Sequence, residues 1–224
     1  MGRNGAILTS QDGVAWASRQ SETTVDLQAA TFGNNIFVAV GRNGTILTST
    51  DGIAWILRPS GATSDLQGVI YGNNTFFAVG RNGTVLTSSD GIKWTARLSG
   101  IPFHIEDVSY GNNIFVAVAR TGKILTSKDG VTWTSRSSGI TSDLHGITYG
   151  KNIFAAIGTY GTIVTSPDGV VWTPRSSRTV SELHGITYGR NTFVAVGFSG
   201  AVLISKDGIT WSPGSSGVLP SYLY

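Results

Sequence analysis

Tryptophan recurs at a fixed interval of 39 residues along this 224-residue chain. The six tryptophans are Trp16, Trp55, Trp94, Trp133, Trp172 and Trp211. An Asp-Gly pair precedes each of them at the same interval, starting at Asp12, Asp51, Asp90, Asp129, Asp168 and Asp207. A fixed period of this length is typical of proteins that stack one structural unit many times, because a single unit cannot bury its apolar surface alone.

Each unit contains four strand-like segments separated by turn residues. In residues 111–149 they are 113–118, 123–127, 130–134 and 144–149, all rich in β-branched and aromatic residues. Four short strands in about 40 residues predict an all-β fold of β-propeller blades. The loops order the strands as A (the 144–149 type), B (113–118), C (123–127) and D (130–134), with A innermost and the tryptophan on D.

The length of the chain does not match a whole number of units. We predict a single propeller domain over 1–224, with repeat units at about 2–32, 33–71, 72–110, 111–149, 150–188 and 189–224. Six units of 39 residues would take 234 residues, and the first unit lacks strands A and B. The prediction is therefore six blades with one incomplete: five complete blades plus an N-terminal C–D hairpin, with 217–224 aligned to the start of a strand A. A five-bladed ring with a displaced hairpin, or a homo-oligomer that completes the open blade, is the alternative.

The Ser-x-Asp-Gly segment is the predicted turn between strands C and D. Aspartate can hydrogen-bond to the backbone of its own turn, and glycine accepts a positive φ. The tryptophan that follows is expected to bury its ring against the next blade. Small residues in strand A (Gly68, Gly146 and Gly185) are expected to permit close packing near the propeller axis.

The segment Ser10-Gln11-Asp12-Gly13-Val14-Ala15-Trp16 and its five copies resemble the Asp-box, or bacterial neuraminidase repeat. That family has Ser/Thr-x-Asp-x-Gly-x-x-Trp, so this chain has one residue fewer between Asp and Gly at all six sites. The resemblance implies a β-propeller like those of sialidases, sugar-binding propellers, sortilin-like receptors and photosystem II assembly factors. It also implies that the box is a structural turn remote from any active site.

The B–C turns and D–A loops share one face and differ between the repeats, whereas the opposite face repeats Gly-Asn-Asn and Ser-x-Asp-Gly. Loops on a rigid scaffold commonly carry binding sites. Candidate ligand-binding residues on this face are Phe103 and His104 in a D–A loop and Tyr160 and Phe198 in B–C turns. Variation without a function is the alternative interpretation.

Arginines are also sorted toward this face. Arg42, Arg81 and Arg120 occupy B–C turns and are candidate ligand-binding residues for an anionic sugar, a phosphate or an acidic partner. A second series ends strand D, namely Arg19, Arg58, Arg97, Arg136 and Arg175. Its regularity predicts a structural role. Stacking of the arginines on tryptophan, or their pairing with Asp26, Asp65, Asp143 and Glu182 at the starts of strand A, is the structural alternative for both series.

No catalytic residue, cofactor or metal is expected from the sequence. Sialidases use three arginines, a Tyr-Glu pair and an aspartate, and no Tyr-Glu arrangement can be matched here. There is no metal-ligand spacing, phosphate loop or hydrolase elbow. His145 and His184 occupy equivalent positions, where Gln28, Gln67 and Glu106 stand in other repeats. If these side chains line the central channel of the propeller, they form a ring of polar groups that could hold waters or an ion. Ordinary solvated or hydrogen-bonded side chains are the simpler interpretation.

The predicted function is a non-catalytic binding or scaffold module whose variable loops meet a protein partner. A lectin-like carbohydrate-binding module is the second hypothesis, a glycoside hydrolase the third, and a recently amplified or engineered repeat without a ligand the fourth. No basic run supports nucleic acid as a partner. No apolar run reaches the roughly 20 residues that span a bilayer, and no signal peptide is recognised, so a soluble chain of undetermined compartment is expected; bacterial export remains open for a truncated N-terminus.

Overall fold

A computed structural model of the chain describes residues 1–215. Their regular structure consists of a two-stranded hairpin followed by five four-stranded antiparallel sheets, each in the order A-B-C-D. This confirms the predicted all-β blades and the N-terminal C–D hairpin. Residues 217–224, predicted to align with a strand A, lie outside the described residues.

The strands are as follows. The N-terminal hairpin has β1 (Ile7–Thr9) and β2 (Ala17–Arg19), and sheet I has β3 (Leu27–Gly33), β4 (Ile36–Gly41), β5 (Ile46–Ser49) and β6 (Ile56–Arg58). Sheet II has β7 (Leu66–Gly72), β8 (Thr75–Gly80), β9 (Thr84–Ser88) and β10 (Thr95–Leu98), and sheet III has β11 (Ile105–Gly111), β12 (Ile114–Ala119), β13 (Lys123–Ser127) and β14 (Thr134–Ser137). Sheet IV has β15 (Leu144–Gly150), β16 (Ile153–Gly158), β17 (Ile163–Ser166) and β18 (Thr173–Arg175), and sheet V has β19 (Leu183–Gly189), β20 (Thr192–Gly197), β21 (Val202–Ser205) and β22 (Ser212–Pro213).

Backbone contacts group the chain into two compact units, residues 1–105 and 106–224. The first contains the hairpin and sheets I and II, and the second contains nearly all of sheet III together with sheets IV and V. The single domain over 1–224, the repeat boundaries and the closure of a ring stay predictions.

Within each unit the cores lie between consecutive sheets. In the second unit, Val116 and Val118 of sheet III pack with Leu144 and Phe154 of sheet IV. A further cluster joins sheet IV to sheet V in the same way. Strands B and C of sheet IV are buried at every residue, because both faces of these two strands are covered.

The tryptophan lies one residue before strand D and not on it, so the sequence assignment was wrong at this point. In every repeat except that of Trp133, the indole Nε1 donates a hydrogen bond to the carbonyl of the turn glycine, for example from Trp211 to Gly208 at 3.0 Å, and so holds the tryptophan in the turn. Trp172 also packs against sheet III, which precedes its own sheet in the chain, and not against the sheet that follows. The same turn brings Gly169 close to Val116 of sheet III, at a φ of 74°.

The Ser-x-Asp-Gly turn is held by its two polar side chains. In the turn after β13, Asp129 accepts hydrogen bonds from the amides of Val131 and Thr132, both at 2.8 Å. Ser127 donates its hydroxyl to Asp129 and accepts the amide of Gly130. The two backbone amides lower the pKa of Asp129 to about 2, because they stabilise its ionised form. These contacts confirm the expected turn chemistry.

A buried carboxylate lies between sheets III and IV. Asp107 takes the position that Gly146 takes one repeat later. Its two oxygens accept the amides of Val108 at 2.8 Å and of Ile147, on the neighbouring strand A, at 3.0 Å. Desolvation nevertheless dominates and raises the pKa of Asp107 to about 6. Burial therefore opposes ionisation of this side chain near neutral pH.

The N-terminal hairpin covers one face of sheet I. Trp16 is 60% exposed, whereas Trp55, its equivalent in sheet I, is 4% exposed and packs with Ile7 of the hairpin. Within residues 1–215, β1 pairs with β2 alone. Completion of this edge by another chain stays a prediction.

Burial should decide how much the turn serine contributes to stability. Ser166 is fully buried and accepts the amide of Gly169 at 2.8 Å. We expect Ser166→Ala to lower the free energy of unfolding by about 1–3 kcal/mol, because a buried amide loses its partner. Urea denaturation measures the loss. Ser10→Ala is the matched control, since the amide of Gly13 makes the same bond at 2.8 Å but is exposed and can bond to water. Equal losses in the two variants would contradict this interpretation.

Ionisation of Asp107 should destabilise the fold as pH rises. The pKa of Asp107 is about 6 in the folded protein and about 3.9 in the unfolded chain. The protonated side chain therefore contributes fully to the free energy of unfolding below about pH 4, and this contribution is lost as the pH rises from about 4 to about 6. We expect the stability of Asp107→Asn relative to wild type to rise by roughly 1–3 kcal/mol from pH 4 to pH 7.5, because only the aspartate ionises. The amide nitrogen of asparagine cannot accept a hydrogen bond, so one of the two backbone amides lacks an acceptor in the variant at both pH values. Urea denaturation at several pH values measures this. Parallel profiles for the two proteins would show that Asp107 is not the group responsible.

Candidate functional site

The B–C turns, where most sequence-predicted site residues lie, share one backbone geometry. Each is a three-residue 3-10 turn: Arg3–Gly5, Arg42–Gly44, Arg81–Gly83, Arg120–Gly122, Thr159–Gly161 and Phe198–Gly200. The middle residue adopts a left-handed conformation in every case, with φ between 54° and 58°. Asparagine, which tolerates this conformation, occupies it in the first three turns.

A hydrogen bond connects most of these turns to the following sheet. The amide of the middle residue donates to the residue 22 positions later, just before the next strand A. Asn43 donates to Asp65 at 3.0 Å, and Thr121 donates to Asp143 at 2.7 Å. These carboxylates therefore fix the position of each turn against the adjacent D–A loop.

The turn arginines form ion pairs with acids at the start of strand A in their own sheets. Arg42 approaches Asp26 at 3.5 Å and Arg81 approaches Asp65 at 3.3 Å. Arg120 is bound to Glu106 at 2.7 Å, and this contact raises the pKa of Arg120. All three arginine side chains stay about half exposed. Arg42 and Arg81 thus pair with acids that the structural alternative named, whereas Arg120 pairs with Glu106, which it did not name.

The arginines that end strand D have a different and uniform contact. Each donates Nε to a threonine hydroxyl of strand C in its own sheet. The pairs are Arg19–Thr9, Arg58–Thr48, Arg97–Thr87, Arg136–Thr126 and Arg175–Thr165, at 2.8–3.0 Å. This regular contact fits the structural role predicted for the series. The partner of each arginine is a threonine hydroxyl, whereas the structural alternative named aspartate and glutamate side chains.

The other predicted residues are spread over different sheets. His104 takes the place of the linking aspartate and accepts the amide of Asn82 on Nδ1 at 3.2 Å. Phe103 is 38% exposed, and its carbonyl accepts the amide of Gly83. Phe198 places its ring edge-on against His184, with the ring centres 4.3 Å apart. These contacts show that His104 and Phe103 support a turn.

Sheet IV departs from the pattern at two exposed positions. Tyr160 is 79% exposed and has a φ of 56°, where the first three turns have asparagine. Arg178 has a φ of 59°, where Gly61, Gly100 and Gly139 stand in the three repeats before it. Sequence comparison of the repeats had singled out Tyr160 and missed Arg178, although its replacement of a repeated glycine was the available signal.

Tyr160 and Arg178 line the same open groove, which has a volume of about 750 Å³. Ile140, Pro174, Arg175 and Val180 line it as well. Val180 is 84% exposed. The floor is rigid, because buried Ser177 bonds both the amide and the carbonyl of Thr179 within the loop. The groove therefore presents aromatic, aliphatic and guanidinium groups on a fixed backbone.

A second cluster in the same unit was not predicted as a site. His145, Glu182 and His184 direct their ligand atoms to within 4.8 Å of one another. The imidazoles stack at 5.2 Å, and Nε2 of His145 lies 2.9 Å from Oε1 of Glu182. Burial lowers the pKa of His184. The equivalence of the two histidines was visible in the sequence, whereas the approach of Glu182 depends on the packing of sheets IV and V.

No helix within residues 1–215 is long and apolar enough to cross a membrane. No protein-family model and no curated protein matches the sequence.

Solved structures do match the fold. A structure described as YCF48 bound to D1 peptide superposes with a TM-score of 0.74 at 22% identity, over 95% of this chain and 75% of that one. The computationally designed Ika8 protein superposes with a TM-score of 0.70 at 18% identity, over 95% of this chain and 71% of that one. The Niastella koreensis GH74 enzyme superposes with a TM-score of 0.63 at 17% identity, over 83% of this chain and 30% of that one. At these identities the matches establish the fold alone, and they agree with the resemblance found in the sequence: the chain has a β-propeller fold.

Proposed function

We propose that this chain is a non-catalytic protein-binding propeller and that the groove beside Tyr160 and Arg178 is its binding surface. One observation carries the proposal. Two large side chains that line the groove stand at left-handed positions: Tyr160 where the first three turns have asparagine, and Arg178 where the three repeats before it have glycine.

A left-handed backbone costs a residue with a Cβ roughly 1–2 kcal/mol relative to glycine. Tyr160 and Arg178 are both exposed. Burial in the fold therefore does little to offset this strain. Strained residues at exposed positions are common where a side chain serves a ligand.

The chemistry of the groove suits a protein segment. Tyrosine and arginine are over-represented among residues that dominate the binding energy at protein interfaces. The exposed Val180 adds apolar surface beside them. Arg175 and Arg178 add positive charge, which favours a partner segment with acidic side chains. The peptide bound in the YCF48 structure is consistent with this use of the fold.

The proposal treats the acidic groups of the second unit as structural. The most perturbed carboxyl, Asp107, engages two backbone amides with its two oxygens. Asp129, Asp168 and Asp207 hold turn amides. The GH74 enzyme shares the fold, and fold alone does not imply its activity here.

Replacing the strained residues by those of other repeats should stabilise the fold. We expect Tyr160→Asn and Arg178→Gly each to raise the free energy of unfolding by about 1 kcal/mol, because asparagine and glycine adopt a positive φ at lower cost. Urea denaturation measures the change. Destabilisation by either variant would mean that its side chain supports the fold.

The same two changes should weaken partner binding. Peptides selected from a random phage-displayed library on the wild-type protein should bind the double variant at least about tenfold more weakly, because two anchor side chains are lost. Arg190→Asn is the control: it removes one charge and places asparagine at a positive φ (48°) in the A–B turn, at the end of the sheet opposite to the B–C turn.

Equal affinity of the selected peptides for the wild-type protein and the double variant would contradict the proposal. A glycan array is screened in parallel. Carbohydrate binding that the double variant loses, without any selected peptide, would make the chain a lectin-like module and would also overturn the proposal. Turnover of a fluorogenic glycoside would support the hydrolase hypothesis instead.

A further inference from the structure

We propose that His145, Glu182 and His184 form a binding site for a divalent transition-metal ion such as Zn²⁺. The three residues belong to two consecutive strands A: His145 lies on β15, His184 lies on β19, and Glu182 directly precedes β19. The site is separate from the groove of the proposed function and does not depend on it.

Irregular strand pairing places both histidines. The register between β15 and β16 shifts between Leu144 and Gly146, and that between β19 and β20 shifts between Leu183 and Gly185. Each histidine is thus the extra residue of a β-bulge. Bulges re-aim a side chain out of the regular alternation of a strand and are frequent beside functional sites.

The approach of Glu182 is the feature that distinguishes this site from the other repeats. Its equivalents Asp65 and Asp143 bind the amide of the preceding B–C turn. Glu182 is longer by one methylene group, and its Oε1 lies 2.9 Å from Nε2 of His145 and 3.6 Å from Nε2 of His184. Its backbone is fixed, because its carbonyl accepts the amide of Phe198 at 2.9 Å.

The two distances from Glu182 fit a shared metal ion, and all three ligand atoms lie within 4.8 Å of one another. Zinc binds imidazole nitrogen and carboxylate oxygen at about 2.0–2.2 Å, so two ligands of a tetrahedral ion stand about 3.3 Å apart. The separations of 2.9 and 3.6 Å bracket this value. Two imidazoles and one carboxylate, with the fourth position left to solvent, are a common zinc ligand set. His184 is 44% exposed, which provides access from solvent.

An unsatisfied nitrogen is the second observation that points to a ligand. Nε2 of His145 is buried and has no hydrogen-bond partner of suitable geometry in the part of the chain that the structure describes, despite the nearby carboxylate. A buried polar atom without a partner is costly.

Isothermal titration of the untagged 224-residue protein with ZnCl₂ tests the site. We expect one equivalent of Zn²⁺ to bind, and Co²⁺ in its place to give the visible absorption of a low-symmetry complex. Binding should also raise the melting temperature, because the ion binds the folded protein.

The chain itself supplies matched variants. His145→Gln and His184→Gln introduce the residue of the same position in sheets I and II, and each should weaken Zn²⁺ binding by more than about 100-fold, because even second-sphere partners contribute 10–100-fold. Glu182→Asp introduces the residue of sheets II and IV and should also weaken binding, because the shorter side chain withdraws from the histidines.

His104→Asp is the control, since it removes the remaining histidine and introduces the acid found at that position in other repeats. It should leave Zn²⁺ affinity unchanged. Absence of a binding isotherm for the wild type would overturn the proposal, and so would equal affinity for the wild type and the glutamine variants. Urea denaturation of every variant shows whether it is folded, and a folded glutamine variant is sufficient for the test.

Discussion

Each sheet of this protein has two faces that must be covered, and the chain meets this constraint by packing sheet on sheet within each compact unit. The C–D turn is central to that packing. Its serine and aspartate satisfy the turn amides, and the turn then places the indole and the glycine against the preceding sheet. Because the turn's own side chains bond its amides, the indole and the glycine of the turn can pack against the preceding sheet without leaving those amides unpaired.

A second recurring contact, from the B–C turn to the residue before the next strand A, fixes the variable loops on this packed scaffold. It tolerates substitution, since His104 performs it with a ring nitrogen where Asp65 and Asp143 use a carboxylate. At Glu182 the acidic group turns to the histidines instead. The two candidate sites of the second unit thus adjoin the place where the repeated contact is absent.

The sequence alone predicted the strand order, the N-terminal hairpin and the chemistry of the C–D turn, because period, turn residues and β-branched segments are local signals. It misplaced the tryptophan, since only the indole hydrogen bond shows that Trp211 belongs to the turn. It could single out Tyr160 by comparison between repeats. It could not predict that Arg178 shares a groove with Tyr160 or that Glu182 reaches His145, because those contacts arise when separate loops and sheets pack together.

The bulge in strand A has a consequence for how such a repeat can diversify. The bulged positions that register shifts identify hold Gln28, Gln67, His145 and His184, while the flanking leucines stay buried in all four strands. A bulged residue takes no part in the regular pairing of the two strands. Its side chain can therefore be replaced by one of different chemistry without changing the buried core or the hydrogen bonds between the strands. Each repeat thereby offers one position where a new polar group can be introduced almost independently of folding, so that identical blades can acquire individual chemistry one residue at a time.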